Sequence, residues 1–288
     1  MRRAYVGRRL LVTAVGLAVI GLVVALIVAF MSRKPTENVI LPSYRCVASV
    51  GDSTAELNVE QSYYAAIIAG VAVQRGLPPR AVSIALATAF QESDLRNLNY
   101  GDRDSMGLFQ QRPSQGWGTV EQIMNPHYST GKFLDALVKV ANWQTGDIND
   151  VAQAVQRSGV PDGYRKHVER AKILASALSG ETAAAFTCIS KVASPSDSAG
   201  FAALLKATYG GTAPGTVVPG PPVRVEVSSA TEAATWSVAA ASQAWAAKFG
   251  VTAVRVGEKL WESSATQLPT WSTATPAGPA KTITVSFL

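Results

Sequence analysis

The most regular hydrophobic pattern in the chain precedes Glu92. Four apolar residues fall three or four positions apart, at Ala81, Ile84, Ala85 and Ala89. This spacing is that of one helix face, and most intervening positions are apolar too, so we expect a helix that is buried on most sides. Glu92 continues the same stripe at the helix end. Burial there would disfavour the charged carboxylate and favour a proton donor near neutral pH, whereas a solvated Glu at a frayed end is the alternative.

Helical patterns fill most of the chain between Cys46 and Cys188. Asn58 and Gln61 form a capping box that predicts a helix to about Arg75. Pro, Thr, Asn and Asp residues at helix starts and Gly after helix ends predict the others. These cover residues 79–92, 119–124, 126–141, 147–157 and 161–178. The fold class expected for residues 35–189 is therefore an α-rich domain with minimal β structure.

The composition changes after Cys188. Residues 190–222 are rich in Ser, Ala, Gly and Pro, which predicts a linker with one helix at about 200–208. Alternating apolar and polar residues then predict strands at 223–227, 251–256 and 282–287, with a helix at 230–249. Residues 223–288 are expected to form a small α+β module with a docking or stabilising role.

An uncharged apolar run, residues 10–31, is long enough to cross a bilayer as a helix. Four arginines precede it and two basic residues follow it, which places the N-terminus in the cytoplasm and residues 35–288 outside. Residues 1–34 are thus expected to be a cytoplasmic stub and a single-pass signal anchor in the cell membrane. A cleaved signal peptide is the alternative, although a small-x-small cleavage site is missing.

The basic charge of the chain is concentrated before residue 35. The chain has 26 Lys and Arg against 20 Asp and Glu, a net charge of +6. Residues 1–34 contain six of the basic residues and none of the acidic ones, so the remainder carries 20 of each. No basic field remains to attract nucleic acid, and we expect no nucleic-acid partner.

The two cysteines, Cys46 and Cys188, enclose the segment that contains Glu92. Outside the cytoplasm such a pair is expected to form a disulfide, with two unpaired buried thiols as the alternative. The only histidines, His127 and His167, are far apart and have no partner three or four residues away. We therefore expect neither a metal site nor a cofactor.

Two short motifs follow one another at the end of the predicted buried helix. Gln91-Glu92-Ser93 is followed, after a polar loop, by Gly107-Leu108-Phe109-Gln110. Together, on a helix-then-loop pattern, they resemble the lysozyme-like lytic transglycosylases, the group that includes soluble transglycosylases and goose-type lysozymes. The resemblance covers roughly residues 55–180 and implies a lysozyme-like fold. It also implies cleavage of the peptidoglycan bond between N-acetylmuramic acid and N-acetylglucosamine, with Glu92 as the single general acid/base.

The resemblance also implies roles for residues around the acid. Ser93 would hydrogen-bond near the carboxylate or the sugar, Gly107 would allow close approach of the saccharide, and Leu108 would belong to the core. Gln110 would contact sugar, with a turn amide as the alternative. The other expected substrate-binding residues are the flanking aromatics Tyr100 and Trp117, which could instead be core residues, and Tyr164, whose segment Pro161-Asp162-Gly163-Tyr164 matches one that points at the acid.

One motif departs from the family. The family shows Ala-Tyr-Asn-x-Gly on a later helix, whereas this chain has Ala154-Val155-Gln156-Arg157-Ser158-Gly159. Gln156 could reach the same sugar group with a longer side chain, or the change could alter or abolish turnover.

A second carboxylate would be needed for a hydrolytic reaction. The loop offers Asp94, Asp102 and Asp104, although Asp in polar loops commonly serves turn geometry. A transglycosylase needs one carboxylate only, because the substrate supplies its own C6 hydroxyl.

The sequence therefore predicts a membrane-anchored, extracytoplasmic enzyme that cleaves peptidoglycan glycan strands. The rival hypothesis is a non-catalytic peptidoglycan-binding or scaffold protein that keeps the groove. Cell-wall or secretion machinery could be a partner through the C-terminal module.

Overall fold

The computed structural model describes residues 44–276, 278–279 and 281–288. The predicted anchor, residues 10–31, lies outside these ranges. Nine α-helices, labelled α1 to α9 in chain order, occur among the described residues: Val59–Gln74, Pro79–Ser93, Val120–Met124, Pro126–Leu137, Ile148–Gln156, Val168–Leu178, Ser198–Tyr209, Glu232–Ala244 and Ala246–Phe249. Short 3-10 helices occur at Pro113–Gln115, Arg165–His167 and Gly210–Thr212. Across the described ranges, we find no helix that combines the length and apolar character needed to cross a membrane.

The strands form two antiparallel sheets. Strands β1 to β9 are Arg45–Val50, Ser53–Asn58, Phe186–Ile189, Gly215–Val218, Arg224–Ser228, Val251–Val256, Lys259–Glu262, Ser272–Thr273 and Thr282–Phe287. The first sheet has the order β2-β1-β3, and the second has the order β4-β5-β9-β6-β7-β8. In the second sheet the residues of β5 and β9 alternate between the buried face and the outer face, as expected for a sheet that is covered on one side.

The first sheet joins the two ends of the helical region. Strands β1 and β3 pair with Cys46 opposite Cys188, and the two residues form a disulfide. This confirms the predicted pairing. Because the bond closes a loop of 142 residues, it restricts the unfolded chain around all the helices that surround Glu92.

Helix α8 joins the helical region to the second sheet. It contacts α1, α6 and β3 on one side and β6 and β9 on the other. All its residues from Ala239 to Ala244 are buried; these are alanines and a serine apart from Gln243. The described residues from 44 onward accordingly form one compact unit.

The prediction of an α-rich domain with minimal β structure, followed by a small module, is wrong. The described chain is a mixed α/β fold with two antiparallel sheets. Strands β1 and β2 have six residues each. The buried residues of β1, Cys46, Val47 and Ala48, are consecutive, and β2 alternates at only two buried positions, Ala55 and Leu57, so the period-two signal was weak. The segment 190–222, predicted as a linker with one helix, contains α7 and also β4, which pairs with β5.

The predicted helix starts are confirmed where side chains cap them. Asn58 and Thr119 each form a complete capping box, and Asn125 and Asp147 accept hydrogen bonds from the first turns of their helices. One predicted helix, 161–178, is wrong in its first third. Turns and a 3-10 helix precede α6, and the Tyr164 side chain in this stretch is fully buried.

Candidate functional site

Glu92 lies in the last turn of α2, the helix at the centre of the helical region. This helix begins at Pro79, contacts α1, α4, α5 and α6, and is buried along most of its length. It ends because Asp94 and Leu95 both take left-handed backbone conformations, with φ of 53° and 57°. Such conformations are uncommon for non-glycine residues and cost energy, so the surrounding contacts hold this turn in place. The chain therefore turns sharply just beyond the carboxylate.

The Glu92 carboxylate is half-buried and held by a tyrosine. The Tyr164 hydroxyl donates a hydrogen bond to Oε1 of Glu92 at 2.6 Å. Burial raises the pKa of Glu92, and hydrogen bonds from Tyr164 and Gln156 act in the opposite direction. Burial and the nearby carboxylate raise the pKa of Tyr164, so that its hydroxyl stays protonated and remains a donor.

The predicted partnership of Tyr164 and Glu92 depends on a residue that the sequence analysis missed. Asn149 is buried in the first turn of α5, where its Oδ1 accepts a hydrogen bond from the Tyr164 backbone N–H at 3.2 Å. Its Nδ2 donates to the Pro161 carbonyl at 3.0 Å. Asn149 thus fixes the turn that aims Tyr164 at Glu92. In the sequence, Asn149 is a polar residue two positions after the Asp147 N-cap. An exposed amide is ordinary at such a position, so the sequence did not mark Asn149 as a buried residue.

The segment 107–110 lies beside the end of α2. The Ser93 hydroxyl, which is buried, donates to the Leu108 carbonyl at 2.8 Å and to the Ala89 carbonyl at 3.1 Å. Leu108 and Phe109 are both fully buried, and Phe109 stacks on Phe133 with ring centroids 4.6 Å apart. Ser93 therefore holds the segment against the helix, with its hydroxyl donating to backbone carbonyls next to Glu92. The expected hydrogen bond near the carboxylate or the sugar stays a prediction.

Gly107 begins this segment with a φ of +78°, a conformation that favours glycine. A Cβ atom here would lie 3.0 Å from the Ile123 carbonyl oxygen. The backbone N–H of Gly107 donates to the Leu98 carbonyl at 2.7 Å. Close approach of the protein backbone, rather than of a ligand, accounts for this glycine.

Gln156 joins the acid to an open groove. Its Nε2 donates to the Phe109 carbonyl at 2.8 Å, and the same side chain hydrogen-bonds Glu92. Gln156 also lines a groove of about 810 Å³ between α4 and the end of α5. Trp117 is part of the opposite lining and is half-buried. Glu92 does not itself line the groove, and Gln156 is the residue that the groove shares with the surroundings of Glu92. Trp117 gives the lining an aromatic side chain on which a sugar ring can pack.

The two loop carboxylates have other roles. Asp104 accepts hydrogen bonds from Arg112 Nε at 2.7 Å, from the Ser114 N–H at 2.8 Å and from the Ser114 hydroxyl at 3.0 Å. These donors hold the pKa of Asp104 well below its usual range, so it stays charged and ties the loop together. Asp102 is highly exposed, 3.9 Å from Arg103.

Two further predicted residues lie in the same loop. The Gln110 amide accepts from Ser105 Oγ at 3.0 Å and donates to the Tyr100 and Gly107 carbonyls at 3.3 Å each. The amide thus closes a turn, which is the alternative that the sequence left open. The Tyr100 ring is 64% exposed and contributes its backbone carbonyl to that turn.

The histidines hold structural positions. His127 Nε2 lies 2.9 Å from Thr208 Oγ1, and His167 stacks on Phe90. Within residues 44–276, 278–279 and 281–288, we find no group of three or more His, Cys, Asp or Glu side chains that could hold a metal ion.

No protein-family model matches the chain, and a search of curated proteins finds no match. The likeness to lytic transglycosylases therefore depends on Glu92, Ser93 and the 107–110 segment, and on the contacts that bring them together with Tyr164 and Gln156.

Proposed function

We propose that this chain is a peptidoglycan lytic transglycosylase that cleaves the β-1,4 bond between N-acetylmuramic acid and N-acetylglucosamine. One observation carries the proposal. A half-buried carboxyl, Glu92, is held by Tyr164 beside the Gly107-Leu108-Phe109-Gln110 segment and is connected through Gln156 to a long groove. The same residues carry the resemblance to that enzyme family.

The raised pKa of Glu92 suits the first step of this reaction. A protonated Glu92 gives its proton to the bridging oxygen as the bond to C1 of the muramic acid breaks and positive charge develops on the ring. The Tyr164 hydroxyl engages Oε1 of this carboxyl. Tyr164 also stabilises the carboxylate that remains after proton transfer.

The second step returns the proton. The Glu92 carboxylate takes a proton from the C6 hydroxyl of the same muramic acid while O6 bonds to C1, which gives a 1,6-anhydro end and restores the acid. The state of Asp104 favours this route over hydrolysis with a second carboxylate, because its oxygens are engaged by Arg112 and Ser114.

The rival proposal is a scaffold that binds glycan without cleaving it. The Gln156 amide favours it, because its Nε2 is engaged by the Phe109 carbonyl and is less available to a sugar than a free amide would be. Val155, in the place of the family's Tyr, is largely buried and offers no polar group to a ligand.

Location outside the cytoplasm belongs to the proposal and is supported by the Cys46–Cys188 disulfide, since such bonds persist in oxidising compartments. The membrane anchor at residues 10–31 and a cell-wall or secretion partner remain predictions from the sequence.

The experiment uses the purified full-length chain on isolated cell-wall sacculi. We expect soluble muropeptides that disappear with Glu92→Gln, and mass spectrometry should find ends that are lighter by one water than hydrolysed ends. Binding to sacculi without any release would contradict the enzyme and support the scaffold. Release of hydrolysed ends would contradict the transglycosylase route while leaving Glu92 as the acid.

A further inference from the structure

The groove that Gln156 lines is also lined by three cationic side chains. Lys132 lies on α4, Lys139 follows that helix, and Arg157 lies at the end of α5. In the part of the chain that the structure describes, no ion pair involves any of the three. Lys132 is half-buried, with its Nζ 5.6 Å from the centre of the Tyr128 ring.

The acidic residue in the lining does not offset this charge. Asp135 is paired with Arg75, whose Nη1 lies 2.8 Å from Oδ1. Arg75 reaches it across Gly131, where a Cβ atom would lie 2.8 Å from Nη2 of the arginine. Because Asp135 is neutralised from outside the groove, the charge that the lining presents to a ligand is positive.

The backbone of Arg157 shows that an arginine is held here at a cost. Its φ is 52°, in the left-handed region where helices usually end with glycine or asparagine. A long charged side chain at this position follows directly after Gln156, which contacts Glu92.

We propose that Lys132, Lys139 and Arg157 bind carboxylates of the peptide stems attached to muramic acid, so that the groove selects glycan with stems over bare glycan. The inference rests on the proposed function, since it concerns the substrate of the same site. The sugars themselves carry no free charge when a peptide is attached to the lactyl group, whereas the peptide carries free carboxylates. Cations along a groove that holds the glycan complement those groups.

Phosphate-containing wall polymers are a second source of negative charge. Two pairs of preparations distinguish it from stem carboxylates: sacculi with stems and sacculi whose stems an amidase has removed, each before and after phosphate polymers are removed by acid. The amidase leaves one lactyl carboxylate on each muramic acid, so the comparison concerns the carboxylates of the stem itself. The measured quantity is the ratio of the release rates from stem-bearing and bare glycan by the full-length chain, each counted as newly formed 1,6-anhydro ends.

We expect the wild-type chain to release stem-bearing glycan at least about fivefold faster than bare glycan. Lys132→Gln, Lys139→Gln and Arg157→Gln should each lower this ratio by about two- to fivefold, which is the range of an exposed ion pair. Lys259→Gln is the control, because Lys259 is exposed on β7, outside the groove lining, and its ratio should equal that of the wild type.

Three outcomes would overturn the inference. Equal wild-type rates on the two preparations, or unchanged ratios in all three groove variants, would overturn it and leave the proposed function standing. A preference that vanishes when phosphate polymers are removed would assign the charge to those polymers. Absence of release from every preparation would overturn the proposed function, and this inference with it.

Discussion

Two carboxylates close in sequence, Glu92 and Asp104, have opposite surroundings. Glu92 ends a buried helix, and desolvation raises its pKa. Asp104 lies in a loop, where Arg112 and Ser114 supply hydrogen bonds that lower its pKa. One group is arranged to hold a proton and the other to remain charged.

The comparison teaches that surroundings, rather than residue type, decide which carboxyl can act as an acid. Both residues were candidates in the sequence, since both are acidic and both are near the same motif. Only Glu92 combines partial burial with a 2.6 Å hydrogen bond from the Tyr164 hydroxyl on one oxygen. Asp104 has three donors and structures its loop.

The largest expected effect is on release of muropeptides. Glu92→Gln should reduce the rate by about 10²–10⁴-fold, because a general acid contributes about that much and glutamine has no proton to give. Asp102→Asn is the control and should retain the wild-type rate, since Asp102 is exposed. A Glu92→Gln variant with nearly full activity would show that another group supplies the proton.

Replacing the tyrosine should have the next largest effect. Tyr164→Phe removes the 2.6 Å hydrogen bond and should slow release by about tenfold, in line with a hydrogen bond to a charged group. The bond lowers the pKa of Glu92, so its loss should raise that pKa. Since a general acid loses activity as pH rises through its pKa, the alkaline limb of the pH profile should move to higher pH. Tyr44 is exposed, so Tyr44→Phe is the control. If the pH profile of Tyr164→Phe were identical to that of Tyr44→Phe, a role of Tyr164 in holding Glu92 would be excluded.

Removal of the Ser93 hydroxyl should weaken the whole region. Ser93→Ala leaves the Leu108 carbonyl without this donor, and we expect a loss of about 1–3 kcal/mol in the free energy of unfolding. Urea denaturation measures the loss, with Ser53→Ala, an exposed position, as the control. A change within about 0.5 kcal/mol, as for an ordinary surface substitution, would contradict this role.

The smallest effect should come from Asp104. Asp104→Asn keeps one acceptor oxygen but loses the charge, so the rate should fall by about threefold or less. Hydrogen exchange of the Ser114 amide, which donates to Asp104, should become faster. A rate loss as large as that of Glu92→Gln would instead make Asp104 a second participant in the reaction.

The helices were predictable from local signals, because side chains such as Asn58 and Thr119 cap them within three residues. The pairing of β1 with β3 in the first sheet was not, since the two strands are far apart in sequence. The burial of α8 was not predictable either, because its partners come from both halves of the chain and composition does not report such contacts.

The candidate site was predictable where the resemblance supplied residues, as for Glu92 and Tyr164. The role of Asn149 could not be predicted, and neither could the two roles of Gln156, its hydrogen bond to Phe109 and its place in the groove lining. Each of these depends on segments that meet only in the folded chain. The turn role of Gln110 was one of two open alternatives, and local hydrogen bonds decide it.

The most direct test of the central claim is a carbon NMR titration of the Glu92 carboxyl, assigned by comparison with Glu92→Gln. We predict a midpoint above 4.5, the ordinary value for a glutamate, because desolvation outweighs the hydrogen bonds from Tyr164 and Gln156. A midpoint at or below 4.5 would mean that Glu92 is fully charged near neutral pH. That result would contradict its assignment as the proton donor.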